Sequence, residues 1–139
     1  MYNEETFKYL ITSESKRSVR SGYSFNILLI YSTDKQGLIV QMDRDVADTV
    51  VSALFRTLRG TDYIGWCREG HIIGGVLTVV EQSSVVEVPV RIQQGLMEIL
   101  RVEVIVDEIS RLHVRICQHH ALKGILSGIT HGELVDGNV

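Results

Sequence analysis

A chain of 139 residues has the length of one domain, and with 45% hydrophobic and 22% charged residues it can bury a real core, outside the low-hydrophobicity regime of disordered chains. A formal net charge of −3 removes any global attraction to nucleic-acid phosphates or anionic membranes. Nucleic acid is therefore not an expected partner, and an anion site has to come from a few local arginines.

The N-terminus, MYNEETFKYL, lacks a cationic start followed by an apolar run, and no window approaches about eighteen uncharged apolar residues. The sequence thus predicts a cytoplasmic chain with no membrane segment. From about Asn3 to Arg20, Phe7, Leu10, Ile11 and Val19 stand among polar and charged residues, which suits a helix with a narrow apolar stripe ended by Ser21-Gly22. Glu14, Lys16, Arg17 and Arg20 are expected on its solvated face. Phe25 to Ser32, FNILLIYS, is a nearly continuous apolar run bounded by turn residues, the pattern of a central strand covered on both faces.

After the polar turn 32–37 and a short apolar piece, Leu38-Ile39-Val40, a second helix opens near Asp43, a favoured N-cap. Val46, Val50, Leu54 and Leu58, with Val51 and Phe55 beside them, repeat at three and four residues and give it one apolar face, with an end around Arg59-Gly60. Tyr63 to Cys67 and His71 to Val80 read as a hairpin turning at Arg68-Glu69-Gly70. Gly74-Gly75 inside the second run suggests a bulge or a close backbone approach. Trp66 reads as core or edge packing. A third helix has two conflicting starts, a capping box at Ser84-x-x-Glu87 and a first-turn Pro89; the later start, near Val88, is favoured, with Ile92, Leu96, Ile99 and Leu100 facing the core.

Val102 to Val106 and Leu112 to Cys117 read as a last strand pair, and in the second of these Leu112, Val114 and Ile116 alternate with His113, Arg115 and Cys117. Cys67 and Cys117, with no CxxC and no His-spaced partner, encode neither a disulfide framework nor a zinc site and read as reduced, half-buried thiols. His119-His120 is a poor metal pair, because adjacent residues on a strand point to opposite faces. Residues 124–139, GILSGITHGELVDGNV, hold four glycines and no period, and read as loop or docked tail.

The order helix, strand, helix, strand pair, helix, strand pair gives an α+β fold, an antiparallel-rich central sheet with helices on one side, related to the ferredoxin-like split βαβ units. It forms a single domain over 1–139, with a core of about 5–118 and a tail at 119–139. No internal repeat or linker interrupts it.

On this pattern lies a family resemblance. Glu14-x-x-Arg17-x-x-Arg20 ahead of SFNILLIYS, a helix ending in Leu58-Arg59-x-x-Asp62, the hairpin, and Pro89-Val90-Arg91-Ile92 in the next helix resemble the diguanylate cyclase (GGDEF) domains of bacterial signalling proteins, in a degenerate form. The family makes its dinucleotide from two GTP molecules with two divalent ions, held by a carboxylate at the end of the first strand and another in the hairpin turn; hard ions need such oxygen ligands. By the resemblance the first of these positions falls on Tyr31, and the pentapeptide reads Arg68-Glu69-Gly70-His71-Ile72, leaving Glu69 as the one carboxylate at the turn. The resemblance thus implies the loss of catalysis and of the metal, with no resident cofactor.

A second family site keeps its letters. The product-inhibition site uses Arg-x-x-Asp five residues before the pentapeptide and a further Arg in the following helix, positions that fall on Arg59, Asp62 and Arg91. An Arg fork grips a phosphate or a guanine edge in bidentate fashion, and an Asp accepts from guanine N1–H and its amine. The same letters also suit a helix-end Arg near the C-terminal dipole and a turn Asp. The expectation is a silent GGDEF-like module that binds a protein partner or cyclic di-GMP. The alternatives are a structural or dimerising domain without a small ligand, and a nucleotide-processing enzyme with atypical ligands. A homodimer is consistent with the family's habit of self-association.

Overall fold

The computed structural model describes residues 1–58, 63–77, 87–104 and 106–119. In chain order the elements are α1 (Glu4–Ser21), β1 (Asn26–Thr33), β2 (Ile39–Val40), α2 (Arg44–Thr57), β3 (Ile64–Arg68), β4 (Ile72–Leu77), α3 (Glu87–Glu103), the single turn α4 (Val106–Ile109) and β5 (Leu112–Gln118).

The apolar run of β1 has no polar face to offer water, and all eight of its residues are buried. It pairs antiparallel with β4 from Asn26↔Leu77 to Tyr31↔Ile72, and with β5 from Asn26↔Gln118 to Ser32↔Leu112. Its last residues also meet β2, through Ser32↔Val40 and Thr33↔Ile39. β3 joins the sheet by antiparallel pairing with β4. Since β1 and β3 both run against β4, they are parallel to each other across it, and α2 connects them as a split βαβ unit.

Successive β1 side chains point to opposite faces and so feed two cores. Leu28 and Ile30 pack with Val46, Val50 and Leu54 of α2, with Leu96 and Leu100 of α3, and with Val104 just past its end. Ile27, Leu29 and Tyr31 pack with Phe7 of α1, Phe25, Cys67, Ile72, Val76 and Cys117. Burying one such side chain contributes about 1.5–3 kcal/mol, so each helix is held mainly by its apolar face.

Helices therefore lie on both faces, whereas the sequence pattern places them on one. α1 is the exception because its apolar stripe is short: Val19 is 82% exposed, and the helix buries Phe7, Glu14 and Ser18. It starts at an Asn3 cap, whose Oδ1 accepts from the Thr6 N–H at 2.9 Å, and stops at Gly22, whose φ of 72° is left-handed. Asp43 precedes α2 as expected, yet its side chain makes no capping hydrogen bond. The α3 start at Glu87 falls one residue before the favoured Val88.

A second correction concerns Val102 to Val106. The described residues of this range do not form a strand; α3 runs through Val102 to Glu103 and α4 begins at Val106. The β-branched letters lose to helical register, since Val104 continues the buried row of Leu96 and Leu100, and its N–H donates to the Leu100 carbonyl at 2.8 Å. β5 therefore pairs with β1 rather than with the preceding segment, and places Leu112 and Val114 in the helix-pair core and Cys117 in the other. Residues 120–139, which include most of the expected tail, lie outside the described residues.

Candidate functional site

The hairpin between β3 and β4 turns at Gly70, whose φ of +76° is the left-handed conformation glycine adopts at least cost, and the His71 N–H closes the turn on the Arg68 carbonyl at 3.0 Å. Two other segments hold this turn. The Met42 N–H donates to the Gly70 carbonyl at 2.8 Å. On the other side, the Glu4 N–H donates to Glu69 Oε1 at 3.2 Å and the Glu69 N–H donates to Glu4 Oε1 at 2.7 Å. Each glutamate thus satisfies the other's backbone, and Glu69 lies at the N-terminus of α1, where the unsatisfied N–H groups favour negative charge. The Glu69 N–H bond first, then Lys8, whose Nζ is 2.9 Å from Glu4 Oε2, hold the Glu4 carboxyl below the usual carboxylate range.

The register Tyr31↔Ile72 brings the end of β1 beside this turn, so the two positions at which the resemblance expects carboxylates are neighbours in space. Tyr31 is 1% exposed and packs in the α1-side core, its ring stacked on His113 of β5 with centroids 5.3 Å apart and planes 22° from parallel. Thr33 Oγ1 lies 2.8 Å from His113 Nε2, and Ser32 and Thr33 are both buried. Here β1 offers an aromatic ring and hydroxyls but no carboxylate to a hard cation. Among the described residues no three His, Cys, Asp or Glu come together as a metal cluster.

Arg91 stands exposed in the first half of α3. Arg59 and Asp62 lie outside the described residues, between Leu58, buried at the end of α2, and Tyr63 ahead of β3. His71, at the turn, has Nδ1 3.0 Å from the Glu69 carbonyl. His119 is stacked on Phe25, centroids 4.2 Å apart, with Nε2 3.5 Å from Ser18 Oγ, and His120 lies outside the described residues.

Two expectations about side chains change. Glu14 is not on a solvated face: it is 3% exposed, accepts a hydrogen bond from the Tyr23 hydroxyl, and meets Arg17 Nη1 at 3.2 Å. The signal for this was present, because Phe7, Ile11, Glu14 and Ser18 fall on one helical stripe. Cys67 and Cys117 are free thiols but buried rather than half-buried. Burial pushes Cys67 up from 9.0 to about 12 and Cys117 to about 11, far from the reactive thiolate range.

No protein-family model matches the sequence, and no curated protein matches it either. Among solved structures, the chain is similar to the GGDEF domain of TpbB, also called YfiN, from Pseudomonas aeruginosa. The TM-score is 0.64 at 15% sequence identity, over 94% of this chain and 83% of that one. At that identity the likeness speaks for architecture, and the chain has a GGDEF-like fold of the nucleotidyl cyclase type.

Proposed function

We propose that this chain is a catalytically silent GGDEF-like signalling module of the bacterial cytoplasm that acts by binding, with cyclic di-GMP as its ligand at Arg59, Asp62 and Arg91. The observation that carries the loss of catalysis is Tyr31, a buried aromatic where the fold's chemistry needs a metal-binding carboxylate. The partnering of Glu69 with the first turn of α1 supports the same reading, since the carboxylate at the turn is already engaged. For binding, the support is the retained Arg59-x-x-Asp62 spacing and the exposure of Arg91 on α3. Two guanidinium groups and a carboxylate match the phosphates and guanine edges of a cyclic dinucleotide.

Calorimetric titration with cyclic di-GMP tests it, run in parallel on Arg59→Ala. The expected result is near-micromolar affinity, about −8 kcal/mol, lost in the variant, with no product from GTP and magnesium in a companion assay. Absence of heat at saturating ligand would withdraw the nucleotide and leave a protein-interaction domain. GTP turnover abolished by Glu69→Ala would withdraw catalytic silence.

A further inference from the structure

Residues Met1–Ile11 make three unlike contacts to one hairpin, and Phe7 also packs with Phe25 and with Ile27, Leu29 and Tyr31 of β1. Tyr2 forms a one-residue parallel bridge with Gly65 on the outer edge of β3: its N–H donates to the Ile64 carbonyl, and its carbonyl accepts from the Trp66 N–H, both at 3.0 Å. Glu4 and Glu69 exchange the reciprocal carboxylate bonds described above. The Phe7 ring fills room that two glycines leave, since a Cβ on Gly65 would sit 2.6 Å from it and one on Gly74 2.8 Å. The Gly74 gap is shared, because Cys67 Sγ would lie 2.5 Å from that same Cβ. Phe7 therefore lies over the glycine against which Cys67 rests.

The second half of α1 is anchored elsewhere, by Glu14 to Tyr23 and by Ser18 beside His119. We propose that residues Met1–Ile11 form a clip that opens as one unit while the sheet and the α2–α3 face stay closed, baring the edge of β3 and the Cys67 thiol. Ordering these residues costs backbone entropy, and against it stand one fully buried aromatic, the half-buried Ile11, two backbone hydrogen bonds and exposed carboxylates. The closed clip occupies backbone groups of β3 that an exposed edge presents for pairing with another chain. It works as a self-supplied cover.

Thiol labelling tests the clip. The chain contains two cysteines, so in a Cys117→Ser background Cys67 is the only reactive group for a chromogenic aromatic disulfide. In native buffer Cys67 is expected to react through an opening whose rate barely depends on denaturant, because little surface is exposed. Phe7→Ala should speed the reaction by roughly a hundredfold, the scale of a truncated buried aromatic. Leu100→Ala, which destabilises the opposite core, should leave the native-buffer rate within about twofold, as the two sites share no contacts. Should Phe7→Ala fail to fold, Glu4→Ala carries the same comparison with a several-fold increase. Reaction only along the denaturant dependence of global unfolding, or equal acceleration by Leu100→Ala, overturns the proposal.

Discussion

Gly74 shows most sharply how single residues hold this molecule together. It sits in β4 with all its neighbours buried, where a glycine loses strand propensity, and its missing side chain is the space occupied by Phe7 and Cys67. The Gly74-Gly75 pair was legible in the sequence as a place of close approach; what approaches, an aromatic ring from a helix about 67 residues earlier, was not, because nothing local encodes it. Gly74→Ala should destabilise by about 1–3 kcal/mol in urea unfolding, the cost of overpacking a filled core. In a Phe7→Ala background part of that cost should disappear, and the coupling in the double-mutant cycle measures the Phe7 share.

Among the elements, those with a strong period were readable and those decided by tertiary contact were not. The continuous apolar run of β1 and the three-and-four spacing of α2 each announce what they pack against. The segment after Leu100 reads as strand by its β-branched letters, yet Val104 is recruited to the helix-pair core and the helix persists. Of the candidate site, the letters Arg59, Asp62 and Arg91 and the absence of a carboxylate at Tyr31 were legible. The engagement of Glu69 by α1 was invisible, since it joins residues 65 positions apart. That contact makes the first turn of α1 sensitive to acid. Glu4 titrates below its unfolded value, so its contribution is present above the ordinary carboxylate range and is lost as pH falls through the depressed value. Amide protection factors at Glu4 and Glu69, corrected for the intrinsic slowing of exchange in acid, should fall on acidification before those of β1 do.

At the scale of the whole molecule, the two faces of the sheet differ in what they bury. The buried residues of the α2–α3 face are aliphatic side chains and Met, with Trp66 packed at their margin, while the α1 face holds both thiols. Folded Cys67 and Cys117 keep their protons to about 12 and about 11, against 9.0 for an ordinary thiol. The native state therefore binds more protons than the unfolded chain above pH 9, and stability falls as pH rises through this window, by about 1.4 kcal/mol per pH unit for each thiol. Chemical unfolding between neutral pH and pH 10 should show this decline, and Cys67→Ala should make it shallower.

The two-core arrangement also supplies its own clocks. Trp66, the sole tryptophan, is half-buried against the helix-pair core, and Cys67, the very next residue, points to the α1 core. Ultraviolet emission and thiol colorimetry, read from adjacent positions on a single strand, therefore time the dismantling of opposite hemispheres of the protein in one stopped-flow experiment.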